Sequence, residues 1–236
     1  MANAALEQME RRFWRQAILV TALLFFFFGV YNLGIFGAFT LKWLSQTIIG
    51  TSGLLFAMSL SLSTLSFYSR SFGSKVIYRK YLGLMGYFVA LIDFFLLLYT
   101  DRDYYVFGLA EHFFTADVLL GFFAMGIFTV MALISNRAAI PLLGATRWRN
   151  ILRLGYLALF LLVLRAAVIE GALWQVWIAD MNTLPPVRLV ISFLAISVLF
   201  GRLSLVFHQA RAKTVAETVP QPHRWESKFT FPHGLI

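Results

Sequence analysis

The chain of 236 residues contains no cysteine, and charged residues make up only 13% of it. The absence of cysteine excludes disulfides, thiolate metal sites and a haem attached through thioether bonds. Histidine is scarce, and no histidine lies inside a long apolar run, so no imidazole is available there as a metal ligand. The four histidines are His112, His208, His223 and His233.

Hydrophobic residues make up 60% of the chain, a proportion that excludes an ordinary water-soluble domain. A bilayer core of roughly 30 Å needs about 20 apolar residues for each helical crossing. Hydrocarbon offers no hydrogen-bond partners to an exposed backbone, so each run is expected to be helical. The sequence therefore predicts an all-α, polytopic membrane protein with a bundle of six transmembrane helices. The predicted helices span Gln16–Phe39, Leu44–Phe67, Lys80–Thr100, Phe114–Asn136, Ile151–Trp174 and Leu189–Phe207.

Lysine and arginine collect in alternate polar segments, which predicts the orientation of the bundle. The basic segments contain Arg11, Arg12 and Arg15; Arg70, Lys75, Arg79 and Lys80; Arg137, Arg147 and Arg149; and Arg211 and Lys213. The positive-inside rule places these segments, and with them both termini, in the cytoplasm. The formal charge of +9 follows from this topology, and its spread over four segments argues against a nucleic-acid site.

The sequence divides into three parts. Residues 1–15 form an N-terminal segment in the cytoplasm or at the membrane interface, and residues 16–208 form the transmembrane domain. Residues 209–236 form a cytoplasmic tail that is rich in proline and is expected to be extended. Its aromatic residues, Trp225, Phe229 and Phe231, favour contact with a partner protein.

Two segments carry a family resemblance. The first is Arg79-Lys80-Tyr81-Leu82-Gly83-Leu84, followed by an aromatic-rich helix. The second runs from Ser135-Asn136 to Leu143-Gly144 and continues through Arg147-Trp148 to Tyr156-Leu157. Together they resemble the ferric-reductase-like transmembrane domain, especially the small bacterial haem-binding membrane partners of periplasmic methionine sulfoxide reductase. The match covers Leu44 to Arg202 and implies a multi-pass protein of the bacterial inner membrane.

In the family that this chain resembles, histidines on the third and fifth helices bind haem. The corresponding positions here are Arg79, Asp93, Leu152 and Arg165. Aspartate is a poor axial ligand, and neither leucine nor arginine binds iron under these conditions. The resemblance therefore implies a member without its haem groups, and no cofactor is predicted.

Asp93 and Arg165 lie at similar depth in their predicted helices, near the middle of the membrane. An isolated charge at that depth is costly, so such residues face the bundle interior and form pairs. We therefore expect a structural ion pair between Asp93 and Arg165 that closes the space of the outer haem. Asp117 and Glu170 lie near helix ends, where we expect water and lipid head groups to solvate them.

No catalytic triad, phosphate-binding glycine loop or metal-ligand spacing is present, so no catalytic or metal-binding residue is predicted and the chain is not expected to be an enzyme acting alone. We expect a haem-free, ferric-reductase-like subunit that acts as a scaffold or accessory component of a larger membrane complex for electron transfer or photosynthesis. Its partners would be the bilayer and other membrane subunits. One alternative is a haem- or quinone-dependent electron-transfer protein that serves a periplasmic oxidoreductase. Another is a small transporter that uses Asp93 and Arg165.

Overall fold

The computed structural model of the chain describes residues 2–135 and 139–218. The structure is 91% helical, and the described residues contain no strand. The helices are α1 (Ala2–Phe36), α2 (Leu41–Tyr68), α3 (Tyr78–Thr100), α4 (Leu109–His112), α5 (Ala116–Ile134), α6 (Ala139–Leu143), α7 (Ala145–Asp180) and α8 (Val187–Thr218). A 3-10 helix covers Arg70–Ile77, and one π-helical turn covers Asp103–Phe107.

Six helices among the described residues are long and apolar enough to cross a membrane, which confirms the predicted fold class. Their spans are Glu7–Phe36, Leu41–Tyr68, Ser71–Thr100, Ala116–Ile134, Thr146–Asp180 and Val187–Arg211. The protein is therefore a multi-pass helical membrane protein.

The chain divides into two units, residues 1–201 and residues 202–236. The first unit contains α1 to α7 and the beginning of α8. The second unit is described over residues 202–218, which are helical. Helix α8 reaches Thr218, so residues 209–218 of the predicted tail are helical and not extended. Trp225, Phe229 and Phe231 lie outside the described residues.

Helix α2 is the central helix of the first unit, and 61% of its most apolar 18-residue stretch is buried. Small residues allow this burial because they let neighbouring helices approach closely. A Cβ atom on Gly53 would lie 2.5 Å from Ile191 of α8, and one on Gly50 would lie 2.7 Å from Phe28 of α1. Ser59 also belongs to this surface, and its hydroxyl donates a hydrogen bond to the Arg79 carbonyl of α3 at 2.7 Å.

Two local signals define the turn between α1 and α2. Gly37 adopts a left-handed φ of 67°, which ends α1 because glycine has no Cβ penalty in this conformation. The Thr40 hydroxyl then accepts a hydrogen bond from the Trp43 backbone N–H at 3.1 Å and caps α2. This turn lies at the end of the bundle where α1, α3 and α7 end and α2, α5 and α8 begin, which we call the distal end.

Candidate functional site

A cavity of about 690 Å³ lies between α2, α3, α5, α7 and α8 toward the distal end. Its volume falls within the range of roughly 300 to 1,000 Å³ that is typical of sites for small molecules. Most of its wall is apolar. Phe56 and Phe128 contribute a stacked aromatic pair with ring centroids 3.9 Å apart. The charged and phenolic side chains on the wall are Asp93, Tyr105, Asp117, Arg165 and Arg188.

Asp93 lies on α3 and is held by the central helix. The Ser45 hydroxyl of α2 donates a hydrogen bond to Asp93 Oδ1 at 2.9 Å. Because Ser45 lies near the start of α2, it fixes the carboxylate on the distal half of the cavity wall. The charges of Arg188 and Arg165 both act on this carboxylate.

Arg165 lies on α7 and reaches across to α5. Its Nε donates a hydrogen bond to the Asp117 backbone carbonyl at 3.0 Å. Gly121 makes this approach possible, since a Cβ atom there would lie 2.9 Å from Arg165 Nε and 3.3 Å from Cζ. Because Gly121 has no side chain, the guanidinium group has room to lie against α5.

These positions differ from the predicted ion pair between Asp93 and Arg165. Both residues line the cavity, as expected for charges that face the bundle interior, but they are not joined by an ion pair within 4.0 Å. An ion pair beside this cavity instead joins Glu170 to Arg188. The physical reason is that Ser45 and the Asp117 carbonyl, each on an adjacent helix, offer Asp93 and Arg165 closer partners. Asp93 and Arg165 consequently both remain part of the cavity wall.

A buried polar chain links three helices behind this wall. Gln46 Nε2 of α2 donates a hydrogen bond to Glu170 Oε1 of α7 at 3.0 Å. The same oxygen lies 3.2 Å from Arg188 Nη1 of α8. Glu170 is only 8% exposed, so the expectation that water solvates it is wrong. Arg188, in the first turn of α8, lies against Glu170 of α7 and supplies the charge that Glu170 needs.

The segment between α3 and α5 contributes Tyr104 and Tyr105. Their hydroxyls donate hydrogen bonds to Asp117 Oδ1 at 3.4 Å and Oδ2 at 3.3 Å, respectively. Burial raises the pKa of Tyr105 above its usual value, so its hydroxyl keeps its proton at neutral pH and remains a donor. The Asp117 carboxylate thus accepts hydrogen bonds from two tyrosines of the connecting segment. The Asp117 backbone carbonyl accepts one from Arg165.

Arg79 and Leu152, the other two positions implied by the resemblance, lie at a second level, farther from the distal end. Arg79 Nη1 donates a hydrogen bond to the Ser63 hydroxyl of α2 at 2.5 Å, and Nη2 donates to the Leu152 carbonyl of α7 at 3.3 Å. One guanidinium group therefore joins α3, α2 and α7. The resemblance indicated Arg79 and Leu152 as two separate positions and did not predict the hydrogen bond between them.

The donor set does not fit a haem held by two histidines. No histidine occurs among the described residues of the cavity wall, and the ring of His112 instead stacks on Tyr104 with centroids 4.2 Å apart. Tyr105 and Met125 on the wall are of types that can bind haem iron, but the Tyr105 hydroxyl is engaged by Asp117. Within the described ranges, no group of three histidine, aspartate or glutamate side chains could hold a metal ion.

Comparison of the chain with protein-family models and with curated proteins found no match.

Proposed function

We propose that this protein is a haem-free relative of the ferric-reductase-like transmembrane proteins. In this proposal it is a subunit of a larger complex in a bacterial inner membrane and acts as a scaffold or accessory component. Its partners are membrane subunits concerned with electron transfer or photosynthesis. It carries no electrons itself.

The proposal rests on a single observation. At the four positions where the resembled family places its iron ligands, this chain has residues that form hydrogen bonds between helices. Arg79 donates hydrogen bonds to α2 and α7, and one of its acceptors is the Leu152 carbonyl. Asp93 accepts from Ser45, and Arg165 donates to the Asp117 carbonyl. These contacts hold helices together, and none of the four side chains offers an imidazole or a sulfur to an iron.

The exposed aromatic surface is compatible with an assembly role. Phe26 and Phe27 of α1 and Phe193 and Phe200 of α8 are each more than half exposed. Phenylalanine on a membrane-facing surface packs equally well against lipid and against the helices of a neighbouring subunit. The predicted contact through Trp225, Phe229 and Phe231 forms part of the same proposal.

Purification from the native membrane in a mild detergent tests this role. We expect the protein to elute in a particle much larger than its mass of 26.9 kDa, with a constant set of other membrane proteins in fixed ratio. Mass spectrometry of the eluted particle identifies those subunits. A protein that elutes alone, with no constant companion in either digitonin or a maltoside, contradicts the proposal.

The charged cavity favours a second candidate, a small transporter that uses Asp93 and Arg165, both of which line the cavity. Uptake of a solute into proteoliposomes that is abolished by Asp93→Asn would support transport over assembly. The remaining alternative, haem- or quinone-dependent electron transfer, requires a redox-active absorption spectrum.

A further inference from the structure

The cavity opens sideways between α3 and α5. Phe94 of α3 is 43% exposed and Phe122 of α5 is 62% exposed, yet both line the cavity. In a bundle of membrane-spanning helices, such side chains face the bilayer. A molecule that enters between them comes from the lipid, so it must carry a substantial apolar body.

The wall and the groups directly behind it contain three carboxylates, those of Asp93, Asp117 and Glu170, and two guanidinium groups, those of Arg165 and Arg188. Asp93 and Glu170 offset Arg165 and Arg188. Asp117 lies in the first turn of α5, where the helix dipole favours a carboxylate, and two tyrosine hydroxyls donate to it. An additional charge placed among these groups would lack a counter-ion, and a site with little water penalises such a charge. Because the two acids and two bases offset one another and Asp117 already has its own helix dipole and two hydroxyl donors, the site favours a neutral ligand.

The same groups retain unused hydrogen-bonding capacity. Within the described residues, hydrogen bonds and ion pairs engage Arg165 through Nε, Arg188 through Nη1 and Asp93 through Oδ1. Each guanidinium group has five N–H donors and each carboxylate has two acceptor oxygens. Arg165 also interacts with the Tyr105 hydroxyl, but these contacts use fewer than the five N–H donors of each arginine and only one oxygen of Asp93, and all three residues line one cavity.

We propose that the cavity binds a neutral amphipathic molecule from the bilayer. Its head group carries both a hydrogen-bond acceptor, for Arg165 and Arg188, and a hydroxyl donor, for Asp93. Its apolar body lies along the wall that includes Phe56 and Phe128 and leaves the cavity between α3 and α5. This site goes beyond the proposed assembly role and stands without the family resemblance, since only the cavity and its charges define it.

Three probes with the same oleyl chain test the proposal on the purified full-length protein: 1-monooleoylglycerol, oleate and oleylamine. Their head groups are neutral with both a donor and acceptors, anionic, and cationic, respectively. We expect native mass spectrometry from detergent micelles to detect stoichiometric binding of monooleoylglycerol, with an affinity about tenfold above that of either charged probe. Stronger binding of oleate or of oleylamine to the unaltered protein would overturn the proposal.

Charge variants give a second, directional test. Asp93→Asn keeps an oxygen that can accept from Ser45 and removes one negative charge, so we expect oleate to bind better than oleylamine. Arg165→Gln removes a positive charge and is expected to reverse this order. Arg153→Gln, at an exposed arginine on the same helix, is the matched control and should leave all three affinities unchanged. An unchanged order in both cavity variants would overturn the proposal.

A steric variant separates binding in the cavity from binding to the outer surface. Gly126 lines the cavity, and a Cβ atom there meets nothing within 4 Å. The Cβ atom of Gly126→Leu therefore meets no neighbour, and we expect the larger side chain to weaken monooleoylglycerol binding about tenfold while the melting temperature stays the same. Monooleoylglycerol that binds this variant as tightly as the unaltered protein would show that the probe lies outside the cavity and would overturn the proposal.

Discussion

The buried ion pair between Glu170 and Arg188 allows the sharpest test of how the bundle is held together. Glu170→Leu removes the counter-ion of Arg188 and the acceptor of Gln46 Nε2. At the observed separation of 3.2 Å and an effective dielectric constant of about 20, the attraction lost amounts to roughly 5 kcal/mol before desolvation is considered.

Removing one partner of such a pair leaves a buried charge, which typically costs about 3–5 kcal/mol. We expect Glu170→Leu and Arg188→Leu each to destabilise the protein by about this amount. The double variant removes both charges together, so its cost should fall about 2–4 kcal/mol below the sum of the single costs. Glu111→Gln, at an exposed acid in a connecting segment, is the control and should change stability little.

The assay is a double-mutant cycle measured by reversible unfolding in mixed micelles, with steric trapping as an independent readout of the same free energy. A double variant that costs as much as the two single variants added together would show that Glu170 and Arg188 do not interact. Single variants as stable as Glu111→Gln would show that Glu170 is solvated, as its position near a helix end first indicates.

Three further outcomes follow from the same contacts, each measured as a change in unfolding free energy. The cycle of Asp93→Ala and Arg165→Ala should give a coupling below about 1 kcal/mol, because the two residues have separate partners; a coupling as large as that of Glu170 and Arg188 would restore the direct pair. Gly121→Ala should cost about 1–3 kcal/mol because the added Cβ atom would press on Arg165. Gly126→Ala should not, because a Cβ atom there meets nothing within 4 Å. Equal effects of the two substitutions would contradict this account. Arg79→Lys should destabilise the bundle, because an ammonium group cannot replace the two guanidinium nitrogens that donate hydrogen bonds to α2 and α7. A variant of full stability would show that these two hydrogen bonds are dispensable.

The six crossings could be predicted because each consists of a long apolar run, and the length of such a run is set by the thickness of the bilayer. Helix ends were less predictable. Helix α7 continues from Ala145 to Asp180, a length of about 54 Å at 1.5 Å per residue, although the apolar run alone ends at Trp174. Polar residues extend the helix because backbone hydrogen bonds continue beyond the hydrocarbon.

The charged site could be predicted only in part. Asp93 and Arg165 stand out because each interrupts an apolar run, and both do line one cavity. Their actual partners are Ser45 and a backbone carbonyl, which periodicity does not reveal. Arg188 lies just beyond Pro185 and Pro186, so the sequence alone predicts that it belongs to a loop.

A signal for the buried pair was nevertheless present. Glu170 lies on an apolar helix, where an acid without a base is costly, and Arg188 is the basic residue at the start of the next helix along the chain. Which of the available bases pairs with it depends on how α7 and α8 pack, and the helical periods alone do not determine that packing.

A pyridine haemochrome assay on the protein, expressed with excess haem precursor and purified by affinity tag, tests the central claim most directly. The account predicts no haem absorption above that of a tagged membrane protein without a haem site, and no change on reduction with dithionite. Haem that copurifies in a fixed ratio to the chain, with a Soret band that shifts on reduction, would contradict it.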